Sequence, residues 1–195
     1  MSVNKKIVPV TLAGKNLSST TDKIKFITSL LINAGFNPVA IPLFVTQIML
    51  ESAWLTSPHT LFDNNLSGIK LASSPTAKAF QKQLGVTQGR KAGYNEGNYH
   101  AKYPSLAAWA QDYKRILNMG SNPLQALDPS TFVNRLYQNG YFTKEGLTNY
   151  NKGFVATFNG IKKTLSNITS PKTIHAPKIG TLIILLGVFF LVFLN

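Results

Sequence analysis

Apolar residues recur at helical spacing along most of the chain between residues 21 and 166, and this constrains the fold more than any other feature. Ile24, Ile27 and Leu31 are separated by steps of three and four, the spacing of one helix face. Residues 85–97 break the pattern with four glycines spaced four apart, which is typical of turns and a hairpin. The pattern predicts a mainly α fold of the α+β class, with one small β-hairpin.

The two ends of the chain differ in composition from the middle. Residues 1–20 are expected to be a leader, and their apolar piece is too weak for a secretory signal. Residues 167–178 are expected to be a linker, and residues 179–194 are uncharged and almost all apolar. These 16 residues would span roughly 24 Å as a helix, close to the ~30 Å hydrocarbon core of a bilayer. We therefore expect a C-terminal transmembrane helix at residues 179–195, the alternative being a buried core helix.

The charge of the chain limits its partners. With 20 Lys and Arg against 7 Asp and Glu, the net charge is +13, which favours nucleic acid, an anionic membrane or a bacterial wall polymer. The alternative is that the charge only maintains solubility. Nucleic acid is an unlikely partner because no recognition motif accompanies the charge.

The chain contains no cysteine, which excludes disulfides, thiolate metal sites and cysteine nucleophiles. Its three histidines stand apart in sequence and form no metal-binding motif, and no serine-hydrolase elbow or phosphate loop is present. We expect neither a metal nor a cofactor.

Glu51 lies on the apolar stripe of a helix predicted to run from Pro42 to about Leu55. Phe44, Ile48, Glu51 and Leu55 follow steps of four, three and four, so the carboxyl group should face the core or a cleft. Apolar surroundings raise the pKa of a carboxyl group and allow it to donate a proton near neutral pH. Spacing alone leaves a solvated surface glutamate the better interpretation.

Motifs around Glu51 resemble a known enzyme family. Residues 51–57 read Glu-Ser-Ala-Trp-Leu-Thr-Ser and resemble the Glu-Ser-Gly-Trp-Gly-x-Ser signature of the glucosaminidases of glycoside hydrolase family 73. Residues 65–70 read Asn-Leu-Ser-Gly-Ile-Lys and resemble the family's Asn-Leu-Phe-Gly-Ile-Lys, while residues 103–113 resemble its Tyr-x-Ser followed by Asp-Tyr on a helix. The order and spacing agree over residues 22–165.

The resemblance implies a lysozyme-like helical domain with a groove beside a small hairpin lobe. It also implies cleavage of the β-1,4 bond after N-acetylglucosamine in peptidoglycan, with Glu51 as the acid. Glu96, in the presumed hairpin, is a candidate second acid for an inverting mechanism, and the sugar's own acetamido group is the alternative. Tyr141 and Tyr150 resemble two tyrosines of the family's groove, although residues 144–146 replace its Asp-Pro.

Four further side chains are expected to contact the substrate. Aromatic side chains offer flat faces and polar tips to sugar rings, and Asn65 opens the second motif. The expected residues are Trp54, Asn65, Tyr94 and Tyr99.

Other functions remain open from the sequence. A lysozyme-like domain that binds peptidoglycan without cutting it is one alternative, and a lytic transglycosylase is another, although the Gly-Leu-Met-Gln usual in that class is missing. The expected location is a membrane, held by the C-terminal anchor. A virion membrane agrees best with the weak leader, so a phage lysin is the favoured origin, with the bacterial envelope as the alternative.

Overall fold

The computed structural model describes residues 11–12, 14–92 and 98–169, and within these ranges the chain forms seven α-helices and four short strands. The helices are α1 (Thr20–Asn33), α2 (Ile41–Glu51), α3 (Pro58–Asp63), α4 (Pro75–Gln83), α5 (Leu106–Leu117), α6 (Pro129–Gln138) and α7 (Lys144–Thr169). The strands are β1 (Thr11–Leu12), β2 (Lys15–Asn16), β3 (Thr87–Lys91) and β4 (Tyr99–Lys102). The predicted mainly helical α+β fold is confirmed.

The predicted membrane anchor at residues 179–195 and the linker before it lie outside the described residues. Within the described ranges, no helix combines the length and the apolar character that a membrane span requires. The prediction of an anchor therefore stays a prediction.

Polar side chains fix where the helices begin. Ser19 caps α1 by accepting a hydrogen bond from the amide of Asp22 at 3.0 Å, so Asp22 lies inside the first turn. Ser105 caps α5 by accepting a hydrogen bond from the amide of Ala108 at 3.1 Å. Four helices also carry proline in the first turn, where its missing N–H costs nothing: α2, α3, α4 and α6.

Helix α2 is the centre of the core, with α1 and α7 packed against it and α6 packed against α7. Because α2 is surrounded, its residues from 43 to 49 are buried on every side. Leu12 and Leu17, inside the expected leader, also pack into the core. The largest fully buried side chains are Phe44, Tyr103, Trp109, Tyr113, Phe132 and Phe154.

Strands β3 and β4 form the expected hairpin beside the helices. They pair antiparallel, with an irregular register between Gln88 and Lys91. Lys70 forms an antiparallel bridge to His100, which joins the segment after α3 to β4. Residues 93–97 at the end of the hairpin lie outside the described residues, and with them the predicted site residues Tyr94 and Glu96.

Candidate active site

The chain turns sharply directly after Glu51. The sequence predicts a helix to about Leu55, but α2 ends at Glu51. Ala53, Trp54 and Leu55 then take the left-handed conformation, with φ of 49°, 58° and 64°. Each non-glycine residue pays roughly 1–2 kcal/mol in this region, so surrounding contacts must hold the turn.

Three contacts hold this left-handed turn. The buried Ser52 hydroxyl donates to the carbonyl of Ile48 at 2.5 Å and accepts from the amide of Leu55 at 2.9 Å. Lys23, on α1, donates to the carbonyl of Trp54 at 2.9 Å. The side chain of Leu55 is completely buried. The turn therefore depends on tertiary contacts, which local spacing does not reveal.

Glu51 is half-buried at the carboxyl end of α2 and lines a groove. Its Oε1 accepts a hydrogen bond from the Tyr150 hydroxyl at 3.3 Å, and Tyr141 forms a second hydrogen bond with the carboxyl group. Burial raises the pKa of Glu51, and the two tyrosine hydrogen bonds partly oppose the rise. A carboxyl group in this setting can retain its proton at higher pH and donate it.

The two tyrosines are held by aromatic packing at the start of α7. Tyr150 stacks on Phe142 at 4.6 Å between ring centroids and on Phe154 at 5.9 Å. Tyr141 meets the Tyr150 ring edge-on at 6.3 Å. Burial, followed by the Glu51 charge, raises the pKa of Tyr150, so its hydroxyl remains a donor to the carboxylate. The structure thus brings the predicted Tyr141 and Tyr150 together with Glu51.

The groove has a volume of about 730 Å³ and includes residues that the sequence did not indicate. Gln47 lies one turn before Glu51 on the same face of α2, and its Oε1 accepts from the Tyr113 hydroxyl at 2.6 Å. Tyr113 in turn stacks on Trp109 at 5.2 Å. The four-residue step from Gln47 to Glu51 is the signal that could have identified Gln47.

His59 on α3 and His100 on β4 also line the groove. Their rings stack at 4.7 Å between centroids. Burial, together with the nearby His100, lowers the pKa of His59, while Asp63 and the backbone of Glu51 oppose this. The two histidines are 41 positions apart, and no sequence pattern indicates that they pair.

Asn65 occupies the core rather than the groove. It is fully buried, and its Nδ2 donates to the carbonyls of Ile69 at 2.7 Å and Ala101 at 2.9 Å. Its Oδ1 accepts from the amide of Ile69 at 2.9 Å. With both amide hydrogens and the oxygen engaged inside the protein, Asn65 supports the hairpin, and its position gives the predicted substrate contact no support.

The two described aromatic candidates also stand outside the groove lining. Tyr99 is 40% exposed and precedes the groove residue His100 on β4. Successive side chains of a strand point to opposite faces, so only one of this pair can face the groove. Trp54, 37% exposed, lies on the left-handed turn.

Metal chemistry finds no support in the described ranges, where no three His, Cys, Asp or Glu side chains cluster. Glu51 is also the sole carboxylate among the described groove residues. The arrangement offers one half-buried acid with a raised pKa beside an open groove, which suits proton donation to a leaving oxygen.

Comparison with known proteins agrees with this geometry. Residues 33–163 match the glucosaminidase family, described as mannosyl-glycoprotein endo-beta-N-acetylglucosaminidase. The match covers more than half of the 195 residues. The chain belongs to the glucosaminidase family and is a glycoside hydrolase.

A solved structure has a similar fold. It is a chain from the structure of a type VI secretion system effector-immunity complex from Pseudomonas protegens, similar with a TM-score of 0.51 and 17% sequence identity. The similarity covers 74% of this chain and 94% of that chain. None of the curated proteins matches the sequence.

Proposed function

We propose that the protein hydrolyses the β-1,4 glycosidic bond after N-acetylglucosamine in bacterial peptidoglycan, with Glu51 as the general acid. The observation that carries the proposal is the position of Glu51, a half-buried carboxyl group with a raised pKa at the groove of a glucosaminidase-family domain. Cleavage of a glycosidic bond requires such a donor for the leaving oxygen.

Tyr141 and Tyr150 have a supporting role in this proposal. Their hydrogen bonds favour the charged form of Glu51, so they limit how far burial raises its pKa. They also orient the carboxyl group, because Tyr150 donates to it from α7 and Tyr141 reaches it from the segment before α7. Tyr141 lines the groove and is 40% exposed, which leaves part of its ring open to a sugar.

The second catalytic group is proposed to be Glu96, which would activate water on the opposite side of the sugar. The alternative is attack by the substrate's acetamido group, which needs no second carboxylate. The first route inverts the anomeric carbon and the second retains it. Proton NMR of the freshly released sugar distinguishes them: an inverted product supports Glu96, and a retained product supports the acetamido group.

Mass spectrometry of the products tests the reaction itself. Purified sacculi treated with the full chain should release muropeptides with N-acetylglucosamine at a hydrated reducing end. Anhydro-muramyl products would instead identify a lytic transglycosylase. Binding to sacculi without any released product would identify a binding module and contradict the proposal.

We further propose that residues 179–195 tether the domain to a membrane, either of a virion or of the bacterial envelope. The uncharged apolar run from 179 to 194 supports this. The full chain should float with phospholipid vesicles in a density gradient, whereas the chain ending at Thr169 should remain at the bottom. Equal flotation of both would contradict the tether.

A further inference from the structure

Three nitrogen-bearing side chains line one wall of the groove. Lys70 and His100 are directly opposed across an antiparallel bridge, and opposed side chains project from the same face of a sheet. His59 stacks on the ring of His100. We call the surface formed by His59, Lys70 and His100 the basic wall.

The His100 ring has a defined orientation. Its Nδ1 lies 3.2 Å from the carbonyl oxygen of Gly68, and because a carbonyl can only accept, Nδ1 carries the hydrogen. Gly68 lies beside both rings: a Cβ built there would be 3.9 Å from Cε1 of His100 and 4.0 Å from Nε2 of His59. Its φ of +66° also favours glycine, so no side chain stands between the rings and the groove here.

His59 supports the wall more than it adds charge. Its Nε2 lies 3.1 Å from the Ser57 hydroxyl, and its pKa is lowered by burial and by His100. Asp63 and the Glu51 backbone act in the opposite direction, with less effect. The lowered pKa favours the neutral His59 ring, which stacks behind His100, while the Lys70 ammonium lies on the same face as His100.

Among the described residues that line the groove, basic side chains outnumber carboxylates. Glu51 is its sole carboxylate within the described residues, and a raised pKa favours the neutral form of that group. An anionic group of a ligand in this groove would meet the basic wall. Carboxylates form charge-assisted hydrogen bonds with ammonium and imidazolium groups, which are about twice as strong as neutral ones.

We propose that the basic wall is a carboxylate-binding subsite that makes the enzyme prefer glycan strands with free carboxylates. The inference rests on the proposed function, because peptidoglycan carries free carboxylates on its peptide stems and, where a stem has been removed, on its lactyl ethers. A neutral β-1,4 glycan of the same length offers the wall no anionic partner.

Binding to matched ligands tests the subsite. The full chain with Glu51→Gln is titrated calorimetrically with peptide-free glycan oligomers that keep their lactyl carboxylates. The second ligand is the same oligomer with these groups converted to methylamides, and a third keeps the peptide stems. We expect a carboxylate-bearing ligand to bind about tenfold more tightly than the methylamide, which corresponds to ~1.4 kcal/mol. A preference for the peptide-free oligomer identifies the lactyl group, and one confined to the third ligand identifies the stem.

Substitutions in the wall should remove this preference selectively. Lys70→Gln and His100→Gln, each in the Glu51→Gln background, should weaken carboxylate binding about fivefold and leave the methylamide Kd unchanged. Lys78→Gln is the matched control, because Lys78 is exposed on α4 and outside the groove lining. Melting curves confirm that each variant folds. Lys70→Gln should disturb folding less than His100→Gln, because Lys70 is exposed.

Equal binding of all ligands would overturn the subsite, as would a loss in Lys78→Gln as large as in Lys70→Gln. The result that rejects the subsite can be distinguished from the result that rejects the proposed function. Cleavage of sacculi without a carboxylate preference rejects the basic wall alone. A carboxylate preference without cleavage by the unsubstituted protein rejects the proposed hydrolysis and leaves the subsite supported.

Discussion

Ala53 stands in the left-handed region, with φ of 49°, at a position where the family motif carries glycine. The alanine methyl group costs roughly 1–2 kcal/mol in this conformation, and glycine removes that strain. Glycine also increases the entropy of the unfolded chain, which cancels part of the stabilisation. We predict that Ala53→Gly raises the free energy of unfolding by about 1 kcal/mol, measured by urea denaturation.

A matched exchange on a helix supplies the control for this prediction. Ala79 is exposed on α4, where glycine should lower the free energy of unfolding by about 1 kcal/mol. If Ala53→Gly lowered the free energy of unfolding as Ala79→Gly does, the left-handed turn would be absent.

Tyr150 is predicted to adjust the pH dependence of catalysis through Glu51. The acid must be protonated, so activity is present below its pKa and is lost as pH rises through it. Tyr150→Phe removes a hydrogen bond that lowers this pKa. The basic limb of the kcat/KM profile should therefore move to higher pH. Tyr137→Phe, on α6, should leave it in place, and a basic limb that moves to lower pH in Tyr150→Phe would refute the contact.

Among the elements, Asp112 on α5 joins this helix to α4 and to Tyr103, the residue that directly follows β4. This fully buried carboxylate accepts from the Tyr103 hydroxyl at 2.7 Å, Gln81 Nε2 at 2.9 Å and Arg115 Nε at 2.7 Å. In Asp112→Asn, the new side-chain NH₂ group is itself a hydrogen-bond donor, and it would face the donors of Tyr103, Gln81 and Arg115. We expect a loss of about 3 kcal/mol in the free energy of unfolding.

The same Asp→Asn substitution at an exposed helix cap is the control for the chemical change itself. Asp128 caps α6, and asparagine is an equally good cap, so Asp128→Asn should change stability by less than about 0.5 kcal/mol. Equal losses for both variants in thermal and chemical denaturation would contradict a buried network at Asp112.

Local signals predicted elements wherever local contacts determine them. The spacing of Ile24, Ile27 and Leu31 predicted one helix face correctly, since helix spacing depends on neighbouring residues, and all three are buried on α1. The end of α2 was placed four residues late, because the turn after Glu51 is held by Lys23 from α1. Helices α3 and α4 were missed, because they are only 6 and 9 residues long.

Part of the candidate site could be predicted from the sequence, and part could not. Motif resemblance singled out Glu51, Tyr141 and Tyr150, which the fold brings into contact. Tyr99 was preferred to His100 because strand register is invisible in one sequence: the bridge from Lys70 to His100 decides which side chain faces the groove.

The whole molecule is a cationic domain of a glycoside hydrolase family, and its proposed chemistry depends on Glu51. Because folding raises the pKa of Glu51, its contribution to stability is full at low pH and is lost as pH rises through the folded pKa. The neutral isostere in Glu51→Gln avoids this loss. The variant should therefore melt no lower than the unsubstituted protein at neutral pH, so a loss of activity would reflect chemistry.

The decisive measurement is the release of reducing sugar from purified sacculi by the full chain and by Glu51→Gln. A positioned general acid contributes about 10²–10⁴-fold, so we predict that Glu51→Gln loses at least about 100-fold in kcat. Glu145→Gln, exposed in the first turn of α7, serves as the control and should retain activity. Full activity in Glu51→Gln would contradict the assignment of Glu51 as the acid.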